Sequence, residues 1–124
     1  MAYLWVALGG ALGATARYGV AQWAGNRFGW LFPWGTLTVN VTGSLAIGLI
    51  VTALLVRGAD PAFRLFLVTG FLGGYTTFSA FSLETLALIE SRRWDLAALY
   101  IAVSIGLGLA GCALGLLLGR LFFR

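Results

Sequence analysis

Four long apolar segments, joined by short polar connections, make up almost the whole chain. They cover residues of about 3–24, 34–56, 63–89 and 96–122. A helix needs about 20 mainly apolar residues to cross the hydrocarbon core of a bilayer, so each segment is long enough to be a membrane span. The connections are too short to hold a further domain, and Pro33 and Pro61 lie where helices are expected to begin. The pattern predicts an all-α membrane protein with a single four-span unit over residues 1–124.

The third apolar segment is interrupted near its middle by residues that do not suit a plain membrane helix. From Gly70 to Ser82 it reads Gly-Phe-Leu-Gly-Gly-Tyr-Thr-Thr-Phe-Ser-Ala-Phe-Ser. Its glycines loosen the backbone, and its threonines and serines bring hydroxyl groups to membrane depth. Irregular backbone survives there only where it is buried in protein or lines a cavity, and broken helices recur at ion and substrate sites. We therefore expect a third helix that is broken near its middle, and a transport function centred on the break.

The composition supports a membrane protein and argues against several other classes. Hydrophobic residues make up 60% of the chain and charged residues only 10%, whereas soluble domains have about 25% charged residues. Histidine is absent and cysteine is single, so a zinc, haem or iron–sulfur site built from side chains is not expected. The absence of histidine also removes the commonest general base, and we expect a protein that is not an enzyme.

The arginines are spread evenly over the two ends of the predicted spans. There are eight of them, with no lysine, and anchoring to membrane lipid is their ordinary role; no nucleic-acid partner is expected. One side of the membrane would hold Arg57, Arg64, Arg120 and Arg124, and the other Arg27, Arg92, Arg93 and, if it reaches that way, Arg17. Since an excess of arginine on one side sets orientation, this balance predicts insertion in both orientations and an antiparallel homodimer. The alternative is a single orientation that is set by other factors.

Rows of small residues at four-residue spacing predict close packing between helices. They comprise Gly9 and Gly13 in the first span, Ser44 and Gly48 in the second, and Gly111, Gly115 and Gly119 in the fourth. The fourth span has a second row, formed by Tyr100, Ser104, Gly108 and Cys112. Its hydroxyl groups could line an aqueous track or could bond back to carbonyls of their own helix.

Asn40 and a pair of phenylalanines are the first candidates for contact with an ion. The amide of Asn40 lies inside the second span and needs a partner at that depth, which is either another helix or an anion in a pore. Phe78 and Phe81 are three residues apart and share a helix face just after the break. Such a stripe is usually core packing, but the positive edges of the rings could also contact an anion weakly enough for conduction.

The break and two intramembrane charges supply the remaining candidates. Unwinding over Gly73–Thr77 would release backbone carbonyls of the kind that coordinate Na⁺, although the threonine hydroxyls could instead bond the loosened backbone. Arg17 either snorkels to the membrane surface or attracts anions at a vestibule. Glu84 either faces a pore entrance or pairs with an arginine of another helix.

Three motifs, taken in order, give the chain a resemblance to a known family. They are Gly-Gly-Ala-Leu-Gly-Ala-Thr-Ala-Arg-Tyr at Gly9–Tyr18, Gly-Thr-Leu-Thr-Val-Asn-Val-Thr-Gly at Gly35–Gly43, and the Gly70–Ser82 stretch. The chain resembles the Fluc/CrcB fluoride channels, small bacterial membrane proteins that export fluoride. The likeness extends over essentially the whole chain, and the third motif is highly specific.

The resemblance implies two fluoride pathways along the interface of a dual-topology homodimer. Asn40 is similar to the family's pore asparagine, and Phe78 and Phe81 to the phenylalanines whose ring edges contact the ion. Ser79 falls in the same motif as a further hydroxyl contributor. Tyr100 and Ser104 match the start of a polar track.

The resemblance also implies a structural Na⁺ at the helix break. Its ligands would be the backbone carbonyls of Gly73 and Thr76 from both subunits. Arg17 matches the arginine of the first-span motif. Gly108 lacks the hydroxyl that some relatives carry one turn beyond Ser104, so a continuation of the track there is not expected.

We therefore expect a fluoride channel of the bacterial cytoplasmic (inner) membrane that lowers fluoride toxicity by passive electrodiffusion. A proton-coupled multidrug exporter is a rival, but it would need a carboxylate in the first span, where only Arg17 is charged. A scaffold subunit would explain the rows of small residues but not the broken span.

Overall fold

A computed structural model describes residues 1–123, and it is built from helices. They are α1 (Ala2–Phe28), α2 (Trp34–Arg57), α3 (Pro61–Arg64), a π-helical stretch (Leu65–Leu72), α4 (Gly73–Tyr75), α5 (Phe78–Glu90) and α6 (Trp94–Phe122). The predicted all-α class is confirmed. Arg124, which entered the charge balance above, lies outside the described residues.

Three helical segments within residues 1–123 are long and apolar enough to cross a membrane. They are Trp34–Arg57, Pro61–Glu90 and Trp94–Phe122. Helix α1 has 27 residues, which is long enough, but it is not among the three. Arg17 and the glycines of α1 lower its mean hydropathy. A membrane protein with several spans is confirmed, and α1 as the fourth span stays a prediction.

Proline and glycine set the ends of the second connection, between α2 and α3. Gly58 ends α2 in the left-handed conformation, with a φ of 59° that favours glycine. Pro61 is the first residue of α3, and the carboxylate of Asp60 accepts a 2.8 Å hydrogen bond from the backbone N–H of Ala62. This is an N-cap with proline at the first helical position, as the sequence predicts. Pro33 likewise directly precedes α2.

The break in the third span is confirmed and lies at Thr76 and Thr77. Both residues are extended, with φ and ψ of −87° and 157° at Thr76 and −150° and 119° at Thr77. The Thr77 hydroxyl accepts a bond from the Ala80 N–H and so caps α5. The π-helical stretch before the break is not predicted by the sequence. Its wider turn is a feature often found next to functional sites.

Glycines bring the helix backbones into direct contact. Gly9 and Gly13 of α1 face the carbonyls of Phe66 and Phe71, and a Cβ at either glycine would collide with backbone. Gly48 of α2 meets α6 in the same way. These contacts confirm that the small residues serve packing.

Helix α6 contains a matched pair of glycines that tests this packing. Gly115 lies against the Leu45 carbonyl of α2, whereas a Cβ on Gly106 would meet nothing within 4 Å. We expect Gly115→Ala to lower the free energy of unfolding by about 1–3 kcal/mol, because the neighbouring backbone must move. Gly106→Ala should not lower it and should raise it by up to about 1 kcal/mol, because alanine is the better helix former and meets no neighbour there. Tryptophan fluorescence during SDS titration in detergent measures both, and equal stability of the two variants would contradict this packing.

Candidate functional site

An open cleft of about 370 Å³ lies beside the break in the third span. Its lining is formed by Asn40, Gly43, Ser44, Ile47, Val68, Thr69, Leu72, Gly73, Thr76, Thr77 and Phe78. The cleft opens to the surface of the chain: Gly73 is exposed and the Phe78 side chain is 79% exposed. The structure therefore brings four of the predicted site residues, Asn40, Gly73, Thr76 and Phe78, to one place.

Asn40 holds the break open by bonding the backbone of Thr77 twice. Its Nδ2 donates to the Thr77 carbonyl at 3.0 Å, and its Oδ1 accepts from the Thr77 N–H at 2.8 Å. The interhelical hydrogen bond considered for this amide is thus present. One of the two Nδ2 hydrogens is used, so a second donor remains on a residue that lines the cleft. Donation from Asn40 to an anion stays a prediction.

Three carbonyls at the break, those of Gly73, Tyr75 and Thr76, are left without hydrogen bonds among the described residues. The Thr76 hydroxyl and N–H both donate to the Leu72 carbonyl, at 3.0 and 3.1 Å, so this hydroxyl does bond the loosened backbone. The carbonyls of Gly73 and Thr76 accept no hydrogen bond from residues 1–123. These are the two oxygens predicted as cation ligands.

The start of α5 supplies free donors on the other side of the break. Thr77 caps the Ala80 N–H, but the N–H groups of Phe78 and Ser79 donate to no group within the described part of the chain. The Ser79 hydroxyl is exposed and lies 3.3 Å from that of Thr77. First-turn amides, together with the positive end of the helix dipole, make this end of α5 suitable for an anion.

Aromatic rings continue from the cleft into the protein. The centroids of Phe78 and Phe81 are 5.7 Å apart, which confirms that the two rings share a face, and Phe81 lies 5.1 Å from the fully buried Tyr100. Phe32, from the connection before α2, contacts Tyr100 edge-on at 5.5 Å. Sequence reasoning missed Phe32 because no periodicity marks a loop residue. Contact between ring edges and an ion stays a prediction.

Glu84 accepts hydrogen bonds from two neighbouring hydroxyl groups. Thr36 donates at 2.7 Å and Tyr100 at 3.0 Å. The carboxylate also lines two cavities of about 190 and 320 Å³, each shared with Trp30. Within residues 1–123 no arginine pairs with Glu84, so within this chain the geometry favours an entrance over an ion pair. Thr36 is a neighbour that sequence reasoning did not single out.

Arg17 bonds the backbone of the third span, an arrangement that is neither of the two alternatives considered above, snorkelling to the membrane surface or facing a vestibule. Its side chain is half-buried, and its Nε donates to the Gly74 carbonyl at 3.0 Å. The terminal nitrogens of the guanidinium make no hydrogen bond to residues 1–123. Arg17 is therefore in direct contact with the break, a contact that neither spacing nor composition predicts.

The hydroxyl row on α6 is present in part. The Oγ of Ser104 is buried and has no hydrogen-bond partner among residues 1–123, so it does not bond back to its own helix. At Gly108, where α6 has no hydroxyl, the Ser44 Oγ of α2 lies 3.8 Å from the position that a Cβ would take. This Ser44 hydroxyl donates its hydrogen to the Asn40 carbonyl of its own helix at 2.7 Å, so it supplies no free donor near Gly108.

Comparison with known proteins shows the family of the chain. The family model described as "CrcB-like protein, Camphor Resistance (CrcB)" matches residues 4–116. The chain belongs to this CrcB-like family. A protein of Acidobacterium capsulatum named "Fluoride-specific ion channel FluC" is 49% identical over 121 residues, 97% of each chain. A protein of Rhizobium meliloti with the same name is 50% identical over 94% of each chain. A protein of Nitrobacter hamburgensis named "Fluoride-specific ion channel FluC 2" is 50% identical over 97% of this chain and 98% of its own.

The double hydrogen bond of Asn40 makes a prediction about stability. Asn40→Ala leaves the Thr77 N–H without a partner at membrane depth and removes the second bond to the Thr77 carbonyl, and we expect a loss of about 1–3 kcal/mol in the free energy of unfolding. Thr38→Ala is the control, because that hydroxyl bonds the Trp34 carbonyl of its own helix at 2.7 Å. SDS titration measures both variants. Equal stability of Asn40→Ala and Thr38→Ala would show that Asn40 does not hold the break.

Proposed function

We propose that this protein is a fluoride channel of the bacterial cytoplasmic membrane. The observation that carries the proposal is the cluster of free donors at the cleft, formed by the Asn40 amide and the N–H groups of Phe78 and Ser79. Family membership supports it, since relatives that share about half of the sequence over nearly the whole chain are named fluoride-specific ion channels.

Neutral donors suit conduction better than a fixed cation would. A dehydrated fluoride ion needs hydrogen bonds in place of lost water, yet binding must be weak enough for the ion to leave. The Asn40 amide and the amides of the first turn of α5 supply such bonds, with the Ser79 hydroxyl nearby. The edges of the Phe78 and Phe81 rings carry a partial positive charge and add a weak contact.

From the phenylalanines the proposed pathway continues along α6. Phe81 packs on Tyr100, and Ser104 lies one helical turn further with an unpartnered hydroxyl. Glu84, bonded to Tyr100 and facing two cavities, lies at an entrance, where a charge influences the local ion concentration.

Export follows from the membrane potential and needs no energy source of its own. Hydrogen fluoride crosses lipid as a neutral molecule and dissociates in a near-neutral cytoplasm, where the anion is trapped. An inside-negative potential favours outward movement of the anion by about 2.3 kcal/mol per 100 mV. A passive pathway therefore lowers the cytoplasmic fluoride concentration and its toxicity.

The proposed assembly is an antiparallel homodimer whose interface contains the cleft and two fluoride pathways. In a single chain the cleft, Gly73 and most of the Phe78 ring are exposed on an otherwise apolar surface. Polar groups of this kind face protein or water rather than lipid in a membrane. The even distribution of arginine supports opposite orientations of the two copies.

The free carbonyls of Gly73 and Thr76 fit a structural Na⁺. No group of three histidine, cysteine, aspartate or glutamate side chains that could hold a metal occurs in residues 1–123, and unwound backbone carbonyls are a known alternative for Na⁺. In the proposed dimer each copy would contribute its two oxygens. Coordination of the ion would give a partner to carbonyls that are otherwise unsatisfied at membrane depth.

Fluoride efflux from liposomes tests the proposed function. Vesicles loaded with potassium fluoride and containing the protein should release fluoride when a K⁺ ionophore sets the potential. They should release far less chloride under the same conditions. Asn40→Asp should slow fluoride release by about tenfold or more, because the carboxylate loses the donor and repels the ion.

Thr38→Ala, the control used for stability, should conduct like the wild-type protein. Absence of ionophore-dependent fluoride release from wild-type vesicles would refute the channel function. Wild-type release from a properly folded Asn40→Asp variant would instead remove Asn40 from the pathway.

Tag accessibility tests the antiparallel assembly. A protease site placed after the C-terminus should be cleaved in about half of the copies when protease is added to only one side of the membrane, because opposite insertion puts the C-termini on both faces. A fused tag confined to one side in every copy would contradict dual insertion and leave the fluoride assay unaffected.

A further inference from the structure

The break removes the four hydrogen bonds that a continuous third helix would make from the N–H groups of residues 77–80 to the carbonyls of residues 73–76. Side chains from other helices bond one group of each of the first two. In an unbroken α-helix the Thr77 N–H would bond the Gly73 carbonyl, and the Phe78 N–H would bond the Gly74 carbonyl. In the structure Asn40 takes the Thr77 N–H, and Arg17 takes the Gly74 carbonyl. Of the four groups in these two bonds, the Gly73 carbonyl and the Phe78 N–H remain free. Each of these two lost bonds has thus been intercepted on one side only, whereas the Ser79 N–H and the Tyr75 carbonyl of the third lost bond are both free within residues 1–123.

Arg17 and Asn40 intercept these bonds from different helices and with opposite chemistry. Asn40 of α2 accepts from the donor of one bond, while Arg17 of α1 donates to the acceptor of the other, at 3.0 Å. The backbones of α1 and α4 are close enough for this because Gly74 faces Gly10 and Ala14 without an intervening side chain. The contact is therefore built into the packing of the two helices.

Without Arg17, the Gly74 carbonyl would be unsatisfied at membrane depth. The free Phe78 N–H is the donor that could replace Arg17. A hydrogen bond from the Phe78 N–H to the Gly74 carbonyl would continue the helix through Thr76 and Thr77. That would withdraw a donor from the cleft and realign the Gly73 and Thr76 carbonyls along the helix axis. The bond from Arg17 opposes this closure.

We infer that Arg17 is a positioning residue that keeps the break open by donating its Nε hydrogen to the Gly74 carbonyl. It acts through the backbone, and this donation, rather than the positive charge, is what the break requires. The effect on ions rests on the proposed function: an open break presents the Gly73 and Thr76 carbonyls to Na⁺ and the Phe78 N–H to fluoride.

Two variants of similar size separate the donor from the charge. In Arg17→Gln the amide nitrogen stands the same number of bonds from Cα as the Nε of arginine, so the donor is kept and the charge is lost. Arg17→Met loses both in a side chain of similar length. Arg17→Lys keeps the charge but carries its nitrogen one bond further out. If Arg17 only filled space, the Arg17→Gln and Arg17→Met variants would behave alike.

The first readout is the Na⁺ concentration that gives half-maximal fluoride release from liposomes. Arg17→Gln should stay close to the wild-type value, whereas Arg17→Met should need about tenfold more Na⁺, the size of effect expected for one lost hydrogen bond. If Arg17→Met does not fold, comparison of Arg17→Gln with Arg17→Lys still shows whether the donor or the charge is required. The inference would be overturned if Arg17→Lys kept the wild-type Na⁺ concentration and Arg17→Gln needed more Na⁺, since that result would show that the charge is what matters.

The second readout does not depend on transport. Hydrogen–deuterium exchange of the purified protein should show rapid exchange at the Phe78 and Ser79 amides in the wild-type protein and in Arg17→Gln, and slower exchange in Arg17→Met as the helix closes. Exchange that is equal in all three proteins would refute the positioning role. Failure of wild-type fluoride release would refute the channel function and leave the exchange result valid.

Discussion

The structure depends on the rule that every backbone polar group at membrane depth must find a partner. A helix meets this rule by itself, and a break in a helix violates it at several groups at once. The extended residues Thr76 and Thr77 could not persist unless side chains from elsewhere bonded the exposed backbone. Asn40, Arg17 and the Thr76 and Thr77 hydroxyls do so, and each takes a different group.

Close helix packing allows such short polar side chains to reach the break. Gly9 and Gly13 let α1 lie directly on the π-helical stretch, and Gly43 of α2 has the side chains of Tyr75 and Thr76 against it. A larger residue at these positions would separate the helices and carry Arg17 or Asn40 out of hydrogen-bonding range. The glycines, which have no chemistry of their own, thus determine where the polar side chains can act.

Much of the fold follows from the sequence because its signals are local. The lengths of the apolar segments, the proline at the start of α3 and the glycine–threonine run predict the helices and the break. The π-helical stretch is not predictable in this way, since Leu65–Leu72 would suit an ordinary α-helix equally well. The stretch lies directly against α1 and directly before the break, and neither neighbour is visible in its local sequence.

The candidate site likewise has a part that local sequence predicts and a part that depends on tertiary contacts. Asn40, Phe78 and Glu84 are recognisable because polar or paired aromatic residues inside an apolar span need an explanation. Their partners are not recognisable, because the bonds from Arg17 to Gly74, from Asn40 to Thr77 and from Thr36 to Glu84 join residues 37 to 57 positions apart. The groups left over after these bonds are the ones that the proposed ion sites use. Because Asn40 and Arg17 each take only one group of a broken helical hydrogen bond, the break that leaves a carbonyl free for the proposed cation also leaves an N–H free for the proposed anion, and neither proposed site needs a charged ligand.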